Sequence, residues 1–322
     1  MANSLGSSPL VGKLLGLSSA RTGAAAAAPR PRLAFALSSA QRWTHSCCSK
    51  ASLSAALADE GVTAIETDLL WSASMSAVVH AHPPATESDL PFDVFLDRVT
   101  ASDAPPKHVK LDFKVPAIVA PCVASIDKYY ADALLEKQMA LWLNADVLPG
   151  PGAPRCAFDA DAFCRTCSGI RGAVLSLGWA VDVGLGDVYD DNNIDAMLDL
   201  LRRHGDRFAR NDTRVVVAAN LRFALRSLGV FARLLAASDV EVLFWTGTGE
   251  PPVSAAMVAR VREGLAAFEE RLAFDAQLAP SAALPNAKLA LWRLWRKAKN
   301  AVAPPPPPPN PDPPRRRAPV CC

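Results

Sequence analysis

With 322 residues, half of them hydrophobic, the chain can bury a substantial core as one large domain or two ordinary ones. Its formal net charge of +2 conceals an uneven distribution: residues 1–58 carry +6 with no acid, residues 286–322 carry +7, and the stretch between carries −11. An acidic centre argues against nucleic acid as a partner and suits a bound cation.

The eight cysteines fall at Cys47, Cys48, Cys122, Cys156, Cys164, Cys167, Cys321 and Cys322. Two adjacent pairs and one Cys-x-x-Cys do not make a disulfide framework for a chain of this length. Cys164 and Cys167 lie in a predicted helix with no second ligand pair of zinc-site spacing, so both are expected as partly buried free thiols. No run reaches the ~20 apolar residues of a membrane-spanning helix.

Residues 1–42 are rich in Ala, Ser, Leu and Arg, include Ala24–Ala28 and lack acids. That is the composition of an organelle transit peptide, for a chloroplast or mitochondrion; read instead as a disordered leader, it leaves the chain cytoplasmic. From Trp43 the pattern changes. Eight short β-like runs are expected at Gln41–His45, Thr63–Leu70, Lys107–Lys114, Leu141–Leu148, Gly172–Ala180, Arg214–Leu221, Val240–Gly247 and Arg271–Leu278. Between them, helical patterns occupy Lys50–Ala58, Leu90–Ala101, Pro116–Lys137, Asp159–Cys167, Val188–His204, Arg222–Ala237 and Val253–Phe268, the second capped by Ser88 or Asp89.

Eight strands alternating with helices predict a (β/α)8 TIM barrel over residues 43–280. A doubly wound open sheet would need a Gly-rich first turn, and the sequence has none. The barrel reading also places polar residues where this fold builds its sites, at the C-terminal ends of strands: His45, Glu66 and Asp68, Asp112 and Lys114, Asn144 and Asp146, Ser176, Asn220 and Arg222, and Thr246. Members of each pair are two residues apart on a strand and leave it on the same face. Glu66 and Asp68, side by side on an apolar strand, repel and lose solvation unless a cation neutralises them. Beyond the barrel, residues 286–300 read as a basic-aromatic helix around Trp292 and Trp295. The tail, 301–322, opens on six prolines, Pro304–Pro309, a stiff spacer. Trp292 and Trp295 can pack on the barrel, or this end can make peripheral membrane contact; the closing Cys321-Cys322 is a weak lipidation hint.

WTHS at 43–46, IETDLL at 65–70, AHPPAT at 81–86, KLDFK at 110–114, WLNADVLPGP at 142–151, LSLGW at 175–179 and Trp-Thr-Gly at 245–247 resemble the menorin family. That family is similar to the glycerophosphodiester phosphodiesterases and, more distantly, to phosphatidylinositol-type phospholipases C. The resemblance implies a metal-dependent phosphodiesterase acting on a small phosphodiester or a lipid headgroup. It makes His45 and His82 the catalytic acid and base, and Glu66, Asp68 and Asp112 the ligands of a Mg²⁺ or Ca²⁺ ion. Asp112 stands where the phosphodiesterases normally carry glutamate, and Cys48 where menorin-like sequences are expected to carry asparagine.

The chemistry asks for these residue types. Histidines titrating near neutrality can activate a nucleophile and protonate a leaving alkoxide. A hard cation on carboxylate oxygens offsets charge on the phosphoryl group. Lys114 and Arg222 are candidates to hold the phosphate, and Asn144 and Asp146 to orient substrate or water. Taken singly, Glu66 with Lys114, or Asp112 with Lys110, would read as ordinary salt bridges, and Arg222 as the start of a helix; their order along four strand ends favours a site. His80 and His108 are expected at the surface and His204 at a helix end. A lyase variant that releases a cyclic phosphate shares the site, and a non-catalytic barrel serving as a protein-binding or adhesion module is the alternative.

Overall fold

The computed structural model describes residues 42–278 apart from 102, 171, 183–187 and 248–249. The expected leader, the basic-aromatic helix at 286–300 and the Pro-rich tail lie outside the described residues. Within them the order is β1 (Trp43–Thr44), α1 (Lys50–Ala58), β2 (Ala64–Ser72), β3 (Ala77–His80), α2 (Phe92–Thr100), β4 (His108–Phe113), α3 (Val119–Tyr129), α4 (Ala131–Glu136), β5 (Leu141–Pro149), α5 (Ala160–Cys167), β6 (Val174–Ala180), α6 (Asp191–Asn211), β7 (Arg214–Asn220), α7 (Leu221–Ala224), α8 (Leu228–Ala237), β8 (Glu241–Trp245), α9 (Ala255–Gly264) and β9 (Leu272–Asp275).

The parallel ladder runs β1-β2-β4-β5-β6-β7-β8-β9, which curls into a (β/α)8 barrel. All eight expected strands are present. The two ends of the ladder meet through side chains: His45, just after β1, hydrogen-bonds Asp275, the last residue of β9. On the outer face Ile65, Leu69, Val109, Leu111, Leu143, Leu175, Leu177 and Val217 belong to the large apolar layer shared with the helices. A smaller plug fills the barrel floor, where Trp142, Val174, Val216, Leu243 and Ala273 are buried and Trp43 packs edge-on to Trp142 at 5.4 Å. Above that floor the interior turns polar toward the C-terminal ends of the strands, while at the opposite end Arg214 and Glu241, the first residues of β7 and β8, pair with each other.

The helices follow local chemistry, with several departures from expectation. Ser49 caps α1 through a capping box with Ser52, and Asp190 caps α6 through one with Asn193. Helix α6 continues past His204 and Gly205 to Asn211, because Ile194, Met197, Leu200, His204 and Phe208 form one buried stripe at helical spacing. His204 is therefore an interior helix residue, bonded through Nε2 to Asp161. Neither Ser88 nor Asp89 caps α2. Asp89 accepts from Lys50 N and Ser88 donates to the Cys48 carbonyl, tying α1 to this loop instead. Pro116–Lys137 divides into a short 3-10 turn, α3 and α4, and Arg222–Ala237 into α7 and α8. Cys122, Cys164 and Cys167 are fully buried between α3 and α5, and burial lifts all three thiols far above neutrality.

Strand β3 was not foreseen. It folds back antiparallel on β2, pairing Leu69 with His80 and Ser72 with Ala77. That hairpin buries His80 completely, against the surface position expected for it. Its Nδ1 meets Thr67 Oγ1 at 2.8 Å and its ring stacks on Phe95 at 4.4 Å. His108 is also drawn in, accepting from Ala140 N at 2.9 Å. Desolvation pushes His80 down to about 3 and His108 to about 4. A buried neutral histidine stabilises above its unfolded value near 6.5 and loses that contribution as pH falls toward the folded value. Unfolding free energy from urea titrations should therefore fall below pH 6.5 by up to about 1.4 kcal/mol per pH unit for His80. His80→Gln should flatten that slope; an unchanged slope would mean His80 is not the group being protonated.

Candidate active site

Five carboxylates collect above the apolar floor: Glu66 and Asp68 from β2, Asp112 from β4, Asp146 from β5 and Asp275 from β9. Register explains the convergence. Asp68 lies opposite Asp112, Asp112 opposite Asn144, and Asn144 opposite Ser176, so one row of the sheet carries a continuous polar chain. Along it Ser176 Oγ donates to Asn144 Oδ1 at 2.6 Å, and Asn144 Nδ2 donates to Asp112 Oδ1 at 2.8 Å. Glu66 sits in the row below, opposite Lys110.

One ligand oxygen from each of Glu66, Asp68 and Asp112 lies within 4.8 Å of the other two, and all three residues are buried. Lys114, the residue after β4, bridges two of them: its Nζ is 2.9 Å from Asp68 Oδ1 and 2.7 Å from Asp112 Oδ2. That bridge differs from both of the ordinary salt-bridge pairings weighed from the sequence, Glu66 with Lys114 and Asp112 with Lys110. Ser46 adopts a left-handed backbone, φ 53°, and its N–H donates to Glu66 Oε2 at 2.7 Å. Where an asparagine was expected, Cys48 Sγ lies 3.9 Å from Asp68 Oδ2; burial pushes its thiol up to about 12, so it serves as a weak neutral donor.

His45 stands over Glu66. Its Nδ1 is 3.0 Å from Asp275 Oδ2 and 3.7 Å from Glu66 Oε2. Burial alone would lower its pKa, but Glu66 and Asp275 outweigh it and raise the imidazole to about 9. The carboxylate can only accept, which puts a proton on Nδ1 and leaves Nε2 as the nitrogen to exchange with a ligand. Burial likewise opposes the Lys110 and Lys114 ammoniums, yet the surrounding carboxylates hold both above the usual lysine value.

Charge counting shows what the site is short of. Five carboxylates face Lys110, Lys114 and His45, which leaves two negative charges in excess when all five acids are ionised and His45 is protonated. The strain falls on two of them. Burial and Asp68 raise Glu66 to about 7, and burial and Asp112 raise Asp146 to about 7. Asp112 and Asp275, whose burial is offset by Lys114 and by His45 respectively, stay below the usual carboxylate range. A divalent cation on Glu66, Asp68 and Asp112 would balance the count, and an all-oxygen donor set is the kind that hard cations select.

Of the residues expected from the sequence, the structure brings together His45, Glu66, Asp68, Asp112, Lys114 and Asn144. Asp146 lies one step up β5, opposite Gly178. A Cβ on Gly178 would run into Asp146 Oδ1, so the glycine makes room for that carboxylate. His82 is at the rim: Ala81 N donates to the Asp68 carbonyl, while His82 Nδ1 meets its neighbour's Pro83 carbonyl at 2.6 Å. No contact among the described residues joins its ring to the carboxylates. Arg222 is engaged elsewhere, with Nε 3.1 Å from Glu250 Oε2 and Nη2 donating to the Pro251 and Pro252 carbonyls. Asp275, Lys110 and Ser46 were not singled out beforehand as site residues. Asp275 lies inside the last expected strand, Arg271–Leu278, and only the earlier end of the observed β9 puts it at a strand end; an acid in an otherwise apolar run, Leu272–Asp275, was the signal that could have found it.

The family model for the menorin N-terminal domain matches residues 38–269. Protein FAM151B of Homo sapiens is 33% identical over 141 residues, which cover 42% of this chain and 48% of that protein. The match thus spans about half the length of that relative.

Proposed function

We propose that this chain, which belongs to the menorin family, is a metal-dependent phosphodiesterase acting on a glycerophosphodiester or a phospholipid headgroup. The observation that carries the reading is the placement of an Asp275-held histidine 3.7 Å from Glu66, itself one of three clustered buried carboxylates. Glu66, Asp68 and Asp112 would hold a Mg²⁺ or Ca²⁺ ion, which when bound polarises the phosphoryl oxygens and offsets their developing charge.

The chain's own residues supply the rest. Asp275 fixes the His45 ring and its Nδ1 proton, so proton transfer runs through Nε2. The Lys114 ammonium, 26% exposed, is the cation nearest the mouth and the one to pair with a phosphate oxygen. Asn144 keeps Asp112 from rotating, and Asp146 is the acceptor for a substrate hydroxyl or water. His82 at the rim would supply the second proton-transfer group once its ring leaves the Pro83 carbonyl. Arg222, committed to Glu250, has no part in this scheme.

The test is cleavage of glycerophosphodiesters and of phosphoinositide vesicles by the purified chain, with Mg²⁺ or Ca²⁺ and with chelator. Cleavage is expected only with metal, and phosphorus NMR of the product separates a hydrolase from a lyase that leaves a cyclic ester. A second reading, a non-catalytic binding or adhesion barrel, is favoured by the separation of His82 from the carboxylates. Metal binding by calorimetry without cleavage of any of these esters would make it the better account.

A further inference from the structure

Lys114 occupies the place that a metal ligated by Asp68 and Asp112 would need. Asp112 has two oxygens, and Asn144 takes Oδ1 at 2.8 Å while Lys114 takes Oδ2 at 2.7 Å. A cation on Oδ2 would have to share that oxygen with the ammonium, and the second Lys114 contact is with the neighbouring ligand Asp68, so the ammonium stands between two of the three clustered carboxylates. Two cations cannot share these oxygens in a buried site without strong repulsion. The lysine is able to leave: its side chain is 26% exposed, on the mouth side of the cluster. It also has a destination. Asp146 carries no hydrogen bond or ion pair among the described residues, Gly178 clears space for its carboxylate, and it already acts on Lys114 through space.

We infer that Lys114 has two stations, between Asp68 and Asp112 in the metal-free protein and beside Asp146 when a divalent cation is bound. This rests on the metal-dependent reading proposed above and adds an order to it. The metal-free protein keeps its ligands together with an internal cation, and only after metal binding is the ammonium released from Asp68 and Asp112 to meet an arriving phosphate. Metal and phosphate then bind cooperatively, because the first releases the group that holds the second.

The test needs no catalysis. The full wild-type chain is acetylated at limiting reagent, with and without Mg²⁺ or Ca²⁺, and the rate at Lys114 is read by mass spectrometry against the exposed Lys128. Calorimetry on the same samples reports whether metal binds. Expected is a several-fold rise in Lys114 labelling with metal, reversed by inorganic phosphate, and no change at the buried Lys110. In metal-loaded Asp146→Asn, which lacks the second station, Lys114 should label faster still. Metal binding with unchanged Lys114 labelling would overturn the displacement and leave the proposed function standing. Equal labelling in wild type and Asp146→Asn would overturn the Asp146 station. Absence of any metal binding would remove both this inference and the metal-dependent function.

Discussion

His45→Ala is expected to lower phosphodiester cleavage by about 10²–10⁴-fold while leaving metal affinity within a few-fold of wild type, since a positioned acid or base contributes on that order. The separation of the two effects follows from the geometry: His45 touches Glu66 and Asp275 but is not among the clustered carboxylates. Asp275→Asn should fall part of the way, by about 10–100-fold, because the histidine remains but its orientation and proton are no longer fixed. A structural defect and a positioning defect are told apart by the pH profile. Asp275 is one of the groups that hold the His45 pKa up against burial, so its loss should move the limb belonging to His45 to lower pH. Full activity in His45→Ala would end its assignment as the proton-transfer group.

How much of this was legible beforehand depends on distance along the chain. Glu66 and Asp68 declare themselves, because two acids at strand spacing in an apolar run have few explanations. The (β/α)8 alternation was equally plain, and with it the rule that strand ends carry the site. What escaped were contacts fixed only by closure of the ring. Asp275 and His45 are 230 residues apart and meet only because the last strand comes round to the first. Lys110 looked like one half of an ordinary salt bridge with Asp112, and its burial among Glu66, Asp112 and Asp275 depends on three different strands. His80 was misplaced for a related reason. Its neighbours His82, Pro83 and Pro84 suggest a rim loop, whereas the short β3 hairpin slides His80 under Phe95, and nothing in Ala77–His80 alone announces a strand of four residues. Helix α6 erred the other way: Gly205 looked like an end, but the destabilisation of roughly 1 kcal/mol from one glycine is outweighed by burial of Phe208 one turn on.

Glu66→Gln is expected to abolish tight metal binding and yet to stabilise the metal-free protein at alkaline pH. Glutamine is nearly isosteric and keeps an oxygen for the Ser46 N–H, so packing is preserved while one of the two excess charges is removed. Burial and Asp68 raise the folded Glu66 to about 7 from an ordinary 4.5. A carboxylate raised in this way weakens the fold as pH climbs from 4.5 to 7, and the full penalty, on the order of 3 kcal/mol, stands above pH 7. In chelator, the variant should therefore have the higher melting temperature at pH 8, with the gap closing as pH falls to 4.5. Adding Mg²⁺ or Ca²⁺ reverses the ranking: wild type gains stability with metal concentration and the variant does not. Equal melting temperatures in chelator at pH 8 would mean that Glu66 is already neutralised by the protein. The charge deficit that argues for a divalent cation would then be absent. A higher metal-free melting temperature together with lost metal response would identify Glu66 as a residue kept at a cost to stability because the cation requires it.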